Sequence, residues 1–256
     1  MRSHRTARRY LALIEYDGTA YYGFQRQRKS QPTIQGEIER ALTRLTNQTI
    51  PVTGSGRTDR GVHATGQVIS FAIEWQHGTE TLQRALNANL PVDIVVLQLD
   101  VVDSNFHPRF DAKSRAYKYY IYNQTNRSPL YGRYTWHVRK PLNIDKMNMA
   151  ATALIGTHDF ATFGTPPQGN STTRTLLNAH WSWQDKLLVF DIEANAFLYR
   201  MVRSIVGSLK LVGDETWTID EFEAAFKACD RDQCGTVAPP QGLYLTSVKY
   251  GETSDQ

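Results

Sequence analysis

Cysteine is nearly absent from this chain. Cys229 and Cys234 are the only two in 256 residues. Separated by four residues and lacking a partner Cys-x-x-Cys or His-x-x-x-His, they are a poor zinc signature. Two thiols also do not make the cross-linked scaffold of a small secreted domain, so both are expected to be reduced in a cytoplasmic chain. Long apolar runs are missing as well. No stretch reaches the length of a membrane-crossing helix. The basic start, with Arg2, Arg5, Arg8 and Arg9, is followed by no apolar core of a secretory signal. It is read as a solubilising arm spanning residues 1–9, in preference to an RNA-touching one. Strong charge of one sign is lacking too. The net charge of +4 and isoelectric point near 9.0 permit contact with nucleic acid without requiring it.

What remains is ordinary soluble composition, 41% hydrophobic and 21% charged, with 13 tyrosines available for a β-rich core or for base stacking. Apolar alternation predicts a strand over Tyr10–Tyr16. Thr33 caps a helix running to Thr46, with Ile34, Ile38, Ala41, Leu42 and Leu45 on one face. A short strand Ile50–Thr53, a strand Gln67–Phe71, a helix Thr81–Asn89 stopped by Pro91 and a strand Ile94–Val102 follow. The second half repeats this order. It has a strand Arg115–Tyr122 and a helix Asp145–Ile155, with Met147, Ala151, Leu154 and Ile155 inward and Gly156 at its end. A hairpin of Leu177–Trp183 and Leu187–Ala194 comes next. A helix Phe197–Val212 and a helix opened by the capping box of Thr218 and Glu221 precede a last strand, Leu243–Tyr250. The chain is therefore read as an α/β (α+β) protein of two ferredoxin-like, RRM-like βαββαβ halves. Residues 10–105 form the first half and 106–256 the second.

Between two strands lies Gly54-Ser-Gly-Arg-Thr-Asp-Arg-Gly-Val-His-Ala-Thr-Gly66, read as a loop throughout. It matches neither a Walker loop, since no Lys follows Gly61, nor a dinucleotide fingerprint. Asp59 stands between Arg57 and Arg60, and a neighbouring guanidinium favours an ionised carboxylate. Such a carboxylate can act as a nucleophile. A turn aspartate capped by its own backbone is the plain structural alternative. A paired-carboxylate glycosidase would need Asp111 or Asp17 as partner, and nothing in the sequence pairs them. A metal site of Asp59, His63 and His107 has no supporting ligand spacing, so no metal is expected. Phe106 to Tyr120 interleaves rings with cations. Tyr117, Tyr119 and Ile121 share one strand face, as a base-stacking platform or an aromatic core would. Arg200 and Arg203 lie near a helix start, as phosphate contacts or a solvated face. Leu243 and Leu245 share one side of the last strand and read as core.

Taken together these segments resemble the TruA family of tRNA pseudouridine synthases. The resemblance rests on Glu15-Tyr16-Asp17-Gly18 with Tyr22-Gly23-Phe24-Gln25, and on Gly56-Arg57-Thr58-Asp59 with Gly61-Val62-His63-Ala64. Asn87 to Pro91, Phe106-His107 through Tyr117, Asn195-Ala196-Phe197 with Met201-Val202-Arg203, and Gly242-Leu243-Tyr244-Leu245 follow in order. It spans Tyr10 to Tyr250. It implies a pseudouridine synthase fold with a central basic cleft, no cofactor, a homodimer and a tRNA substrate. The uridines implied are positions 38, 39 and 40 of the anticodon stem-loop. It assigns Asp59 as the catalytic nucleophile, Arg57 as its companion, Tyr117 to stacking and proton transfer, and Leu243 to the active site. Arg60, His63 and Arg203 are carried as substrate-binding candidates. Arg60 departs from the small residue usual in the family, and Phe24 stands where Trp is common. Other readings of the same residues are a non-catalytic RNA-binding module and a nucleoside glycosidase.

Overall fold

Tyr10, Ala12, Ile14 and Tyr16 are all buried at alternate positions of strand β1 (Arg8–Tyr16), the mark of a strand with one face packed on a core. The structure, a computed structural model, describes residues 7–27 and 31–251. Arg2 and Arg5 of the basic arm lie outside them. Arg8 and Arg9, read as part of that arm, instead begin β1. Arg9 donates from Nε to the Ser104 carbonyl at 2.7 Å. The described residues fall into two compact units, divided after Lys113 and again after Tyr244.

In the first unit β1 is followed by α1 (Ile34–Thr46), β2 (Thr53–Gly54), β3 (His63–Ile73), α2 (Thr79–Asn89) and β4 (Ile94–Val102). The Thr33 side chain accepts from the Gly36 N–H and caps α1, whose Ile34, Ile38, Ala41 and Leu42 are buried. β1 pairs antiparallel with β3 on one side and β4 on the other. This split β-α-β arrangement is the ferredoxin-like one. The strand expected over Ile50–Thr53 shrinks to the two residues of β2, which face Ser70 and Ile69. The reason lies in α1. Val52 donates its N–H to Glu39 Oε1 and its carbonyl accepts from Gln35 Nε2, so helix side chains take the bonds that a ladder would use. The edge of β3 that β2 leaves open is taken by the last strand, β10 (Leu243–Tyr250), from Leu245 onward. A Cβ on Gly66 would lie 2.0 Å from the Thr246 carbonyl oxygen, so only glycine admits this approach.

The second unit contains β5 (Ala112–Asn123) from Ser114 on, β6 (Trp136–Val138), α3 (Ile144–Thr152), β7 (Gly156–Asp159), β8 (Thr173–Gln184), β9 (Leu187–Ala194), α4 (Met201–Gly213) and α5 (Ile219–Lys227). Its strands run β5-β9-β8-β7, with β6 parallel to β5. Trp181 stacks on Phe190 at 4.7 Å, and Phe163 stacks on Phe222 and Phe226. Thr218 and Glu221 form the expected reciprocal cap of α5, which satisfies two N–H groups that the helix start would otherwise leave unpaired.

Three expectations change here. α4 begins at Met201 rather than Phe197, because Arg200 is left-handed at φ 61° and the Tyr199 N–H donates to the Thr165 carbonyl outside the helix. α3 stops at Thr152, so Ile155 is 43% exposed and Gly156 opens β7 instead of closing a helix. Gly54 and His63 to Gly66 belong to β2 and β3, leaving a shorter loop of residues 55–62.

Candidate active site

That loop is fixed from three directions. The hydroxyls of Tyr16 on β1 and Thr58 share a buried hydrogen bond of 2.8 Å. The Thr58 carbonyl accepts from the Phe24 N–H at 3.1 Å. The residue before Asp59 is thus held by both side chain and backbone. After Asp59, its carbonyl accepts from the Val62 N–H at 3.1 Å, closing a turn. Gly23, at φ +95°, lies beneath this turn; a Cβ there would stand 2.7 Å from the Thr58 carbonyl oxygen. A residue with a side chain would push the loop outward and strain its own backbone.

Gln67 holds the loop's start and escaped the sequence reading. Wholly buried in β3, its Oε1 accepts from Ser55 Oγ at 2.7 Å and from the Gly56 N–H at 3.3 Å. Its Nε2 donates to the Gly56 carbonyl at 2.9 Å. A glutamine inside the apolar run Gln67-Val-Ile-Ser-Phe71 was the available signal, since a buried amide must find partners.

His63, 2% exposed, holds the loop's end. Its Nδ1 accepts from the Gly18 N–H at 3.1 Å and lies 3.1 Å from Asp17 Oδ1. One nitrogen cannot both accept from Gly18 and donate to Asp17. The bond from Gly18 satisfies a buried backbone donor. His107, considered with His63 as a ligand, instead uses Nδ1 to accept from the Arg109 and Phe110 N–H groups at 3.2 Å.

The presented side chains follow from these ties. Asp59 is half-buried, while Arg57 and Arg60 are exposed. Arg60 lies over the Tyr22 ring at 4.3 Å, a cation–π contact. Arg109, one of the cations interleaved with rings from Phe106 on, also lies in the first unit. Burial, with the charge of Arg57 added to it, lowers the Arg109 pKa below its usual value. Two guanidiniums within electrostatic reach create a field that favours an anion.

The second unit carries the other candidates. Tyr117, 8% exposed, faces Ile192 across β5 and β9. Its ring meets Phe197 edge-on at 5.1 Å and 87°. Tyr119 and Ile121 on the same face are fully buried. Burial drives the Tyr119 pKa well above its usual value, against the opposing charge of Arg203. Arg203, in the first turn of α4, donates from Nε to the Ala238 carbonyl at 2.7 Å. Leu243 is 6% exposed. The structure thus gathers Arg57, Asp59, Arg60 and His63 around one loop of the first unit. Tyr117, Arg203 and Leu243 belong to the second.

The model of a family described as tRNA pseudouridine synthase matches residues 12–111 and 150–251. The chain belongs to the tRNA pseudouridine synthase family. Proteins named tRNA pseudouridine synthase A agree with that membership over nearly their full lengths. One from a Caulobacter species is 46% identical over 244 residues, 94% of this chain and 98% of its own. One from a Thermoanaerobacter species is 42% identical, covering 95% of this chain and 100% of that protein. One from Francisella tularensis subsp. novicida is 41% identical, covering 96% and 95%. Among solved structures, an archaeal box H/ACA sRNP Nop10–Cbf5 complex matches 88% of this chain and 59% of that chain at 14% identity, with a TM-score of 0.35.

Proposed function

We propose that this chain isomerises uridine to pseudouridine at positions 38, 39 and 40 of the tRNA anticodon stem-loop, with Asp59 as nucleophile. The observation that carries the reading is the loop of residues 55–62. Three separate sets of hydrogen bonds fix a turn whose exposed and half-exposed members, Gly56 and Gly61 aside, are two arginines and one carboxylate. A turn serving only as a connection has no need of such support.

The target nucleotide must leave its stack, at a cost of a few kcal/mol. Stacking on Tyr117, worth roughly 1–3 kcal/mol, offsets part of that cost, with Leu243 packing beside the base. Arg57 orients Asp59 and, with Arg109, draws the phosphates; Arg60 and Arg203 contribute further positive charge. His63 acts through the backbone by anchoring the loop's end. Asp59 then attacks the anomeric carbon or carbon 6 of the ring, or removes a ribose proton to give a glycal. In each route the bond from the anomeric carbon to N1 breaks and a bond to carbon 5 forms. The carbon 5 proton leaves to Tyr117 or water, and N1 gains one. Atoms and electrons balance within the substrate, so no cofactor is consumed. Among the described residues no helix is long and apolar enough to cross a membrane. We place the enzyme with its tRNA substrate in the cytoplasm, as a homodimer by analogy with its family.

Incubation with unmodified tRNA followed by nucleoside analysis tests the reading. Pseudouridine at the three anticodon-arm positions supports it. Free uracil would point to a glycosidase, and binding without any modified base to an RNA-binding module. Light scattering at working concentration tests the dimer, which a monomeric mass would overturn.

A further inference from the structure

Residues 123–143 contain Arg127, Arg133, Arg139 and Lys140 but no Asp or Glu. The run lies within the second unit and supplies none of the catalytic candidates. It is nonetheless built as a fixed feature. Asn123 Nδ2 donates to the Val138 and Lys140 carbonyls, both at 2.8 Å, tying the two ends together. Between them the Ser128 carbonyl accepts from the Gly132 N–H at 2.9 Å. The Tyr131 carbonyl accepts from the Tyr134 N–H at 3.0 Å and from Thr135 Oγ1 at 2.9 Å. The Tyr131 ring stacks on Tyr122 of β5, 5.1 Å away and 19° from parallel.

Arg127 precedes this closed turn and Arg133 lies within it. Both are exposed, and among the described residues neither makes a hydrogen bond or an ion pair. Their situation differs from that of Lys118, Lys146, Lys210 and Lys227, each of which pairs with a carboxylate. Unpaired cations on a fixed loop contribute little to folding. They suit a multiply charged ligand, because the loop has already lost the freedom that binding would otherwise remove. Planar guanidiniums match phosphate oxygens in a two-point fork. Neighbouring rings, Tyr134 at 38% exposure among them, offer faces to unpaired bases.

We propose that the turn carrying Arg127 and Arg133 is a second docking surface for the phosphodiester backbone of RNA, acting in affinity rather than in chemistry. The proposal rests on the reading of this chain as a tRNA enzyme and goes beyond the residues assigned there.

The test measures affinity for an unmodified tRNA transcript across a salt series, together with the single-turnover rate at saturating enzyme. It compares wild type with Arg127→Gln/Arg133→Gln. A control, Arg84→Gln/Lys186→Gln, removes two exposed charges elsewhere. Neutralising Arg127 and Arg133 is expected to weaken binding about 3- to 10-fold. It should also flatten the slope of log K against log salt by about 0.7–0.9 for each phosphate that the variant no longer neutralises, with the saturating rate changing much less than the affinity. Equal affinity and slope in wild type and variant, or the same weakening in the control, would overturn the proposal. If wild type binds with the steeper slope but forms no pseudouridine, the enzymatic reading falls and the docking surface stands.

Discussion

The Tyr16 hydroxyl and the Thr58 hydroxyl lie 2.8 Å apart in a buried hydrogen bond that ties the end of β1 to the residue preceding Asp59. Tyr16→Phe keeps the ring and removes the tie. We expect a stability loss of about 1–2 kcal/mol, since Thr58 is left with an unmet buried hydroxyl. Turnover should fall more than tRNA affinity, because the change loosens the placement of Asp59 and leaves the groups that meet phosphate in place. Thermal melts and steady-state kinetics check this. Unchanged stability and turnover would show that the loop is held without β1.

Much of this scaffold is legible in the sequence. The alternation from Tyr10 to Tyr16 and the Thr33 cap followed by Ile34, Ile38, Ala41 and Leu42 announce β1 and α1, because period and cap chemistry are local. The loop's charge and glycine content mark it as unusual for the same reason. What the sequence hides is tertiary. β2 is cut short by Gln35 and Glu39, which reach Val52 from α1. Gln67 resembles a stray polar residue until its amide is seen to hold Ser55 and Gly56. The four residues of β7, Gly-Thr-His-Asp, have no apolar pattern and become a strand only by pairing with β8. The effect of Arg57 on Arg109, 52 positions later in the chain, is likewise tertiary.

Tyr117 is assigned two tasks that one substitution separates. Tyr117→Phe preserves the ring and its edge contact with Phe197. If the hydroxyl moves a proton, single-turnover rates fall by about 10²-fold or more while tRNA affinity stays within about twofold. A variant retaining near-normal rates would confine Tyr117 to stacking and pass the proton step to water.

Stability at acid pH depends on Asp214, whose side chain is 5% exposed. Burial alone would raise its pKa, but bonds from Lys210 and Thr216 outweigh it and lower the value below the ordinary 3.8. A carboxylate depressed on folding contributes stability that is full above its unfolded pKa. That contribution is lost as pH falls through the folded value. Asp214→Asn should therefore cost about 1–3 kcal/mol at neutral pH, and the difference from wild type should shrink at pH values below 3.8. Denaturant melts from neutral to acid pH read this directly. A difference independent of pH would show that Asp214 acts by packing alone.

If Asp59 performs the chemistry for which the loop is held in place, Asp59→Asn abolishes it. Tritium release from carbon 5 of labelled uridine in tRNA, with nucleoside mass spectrometry of the product, should show no pseudouridine formed by this variant. Its affinity for tRNA should remain close to that of wild type. Near-normal turnover by Asp59→Asn would rule Asp59 out as the nucleophile and move that role elsewhere.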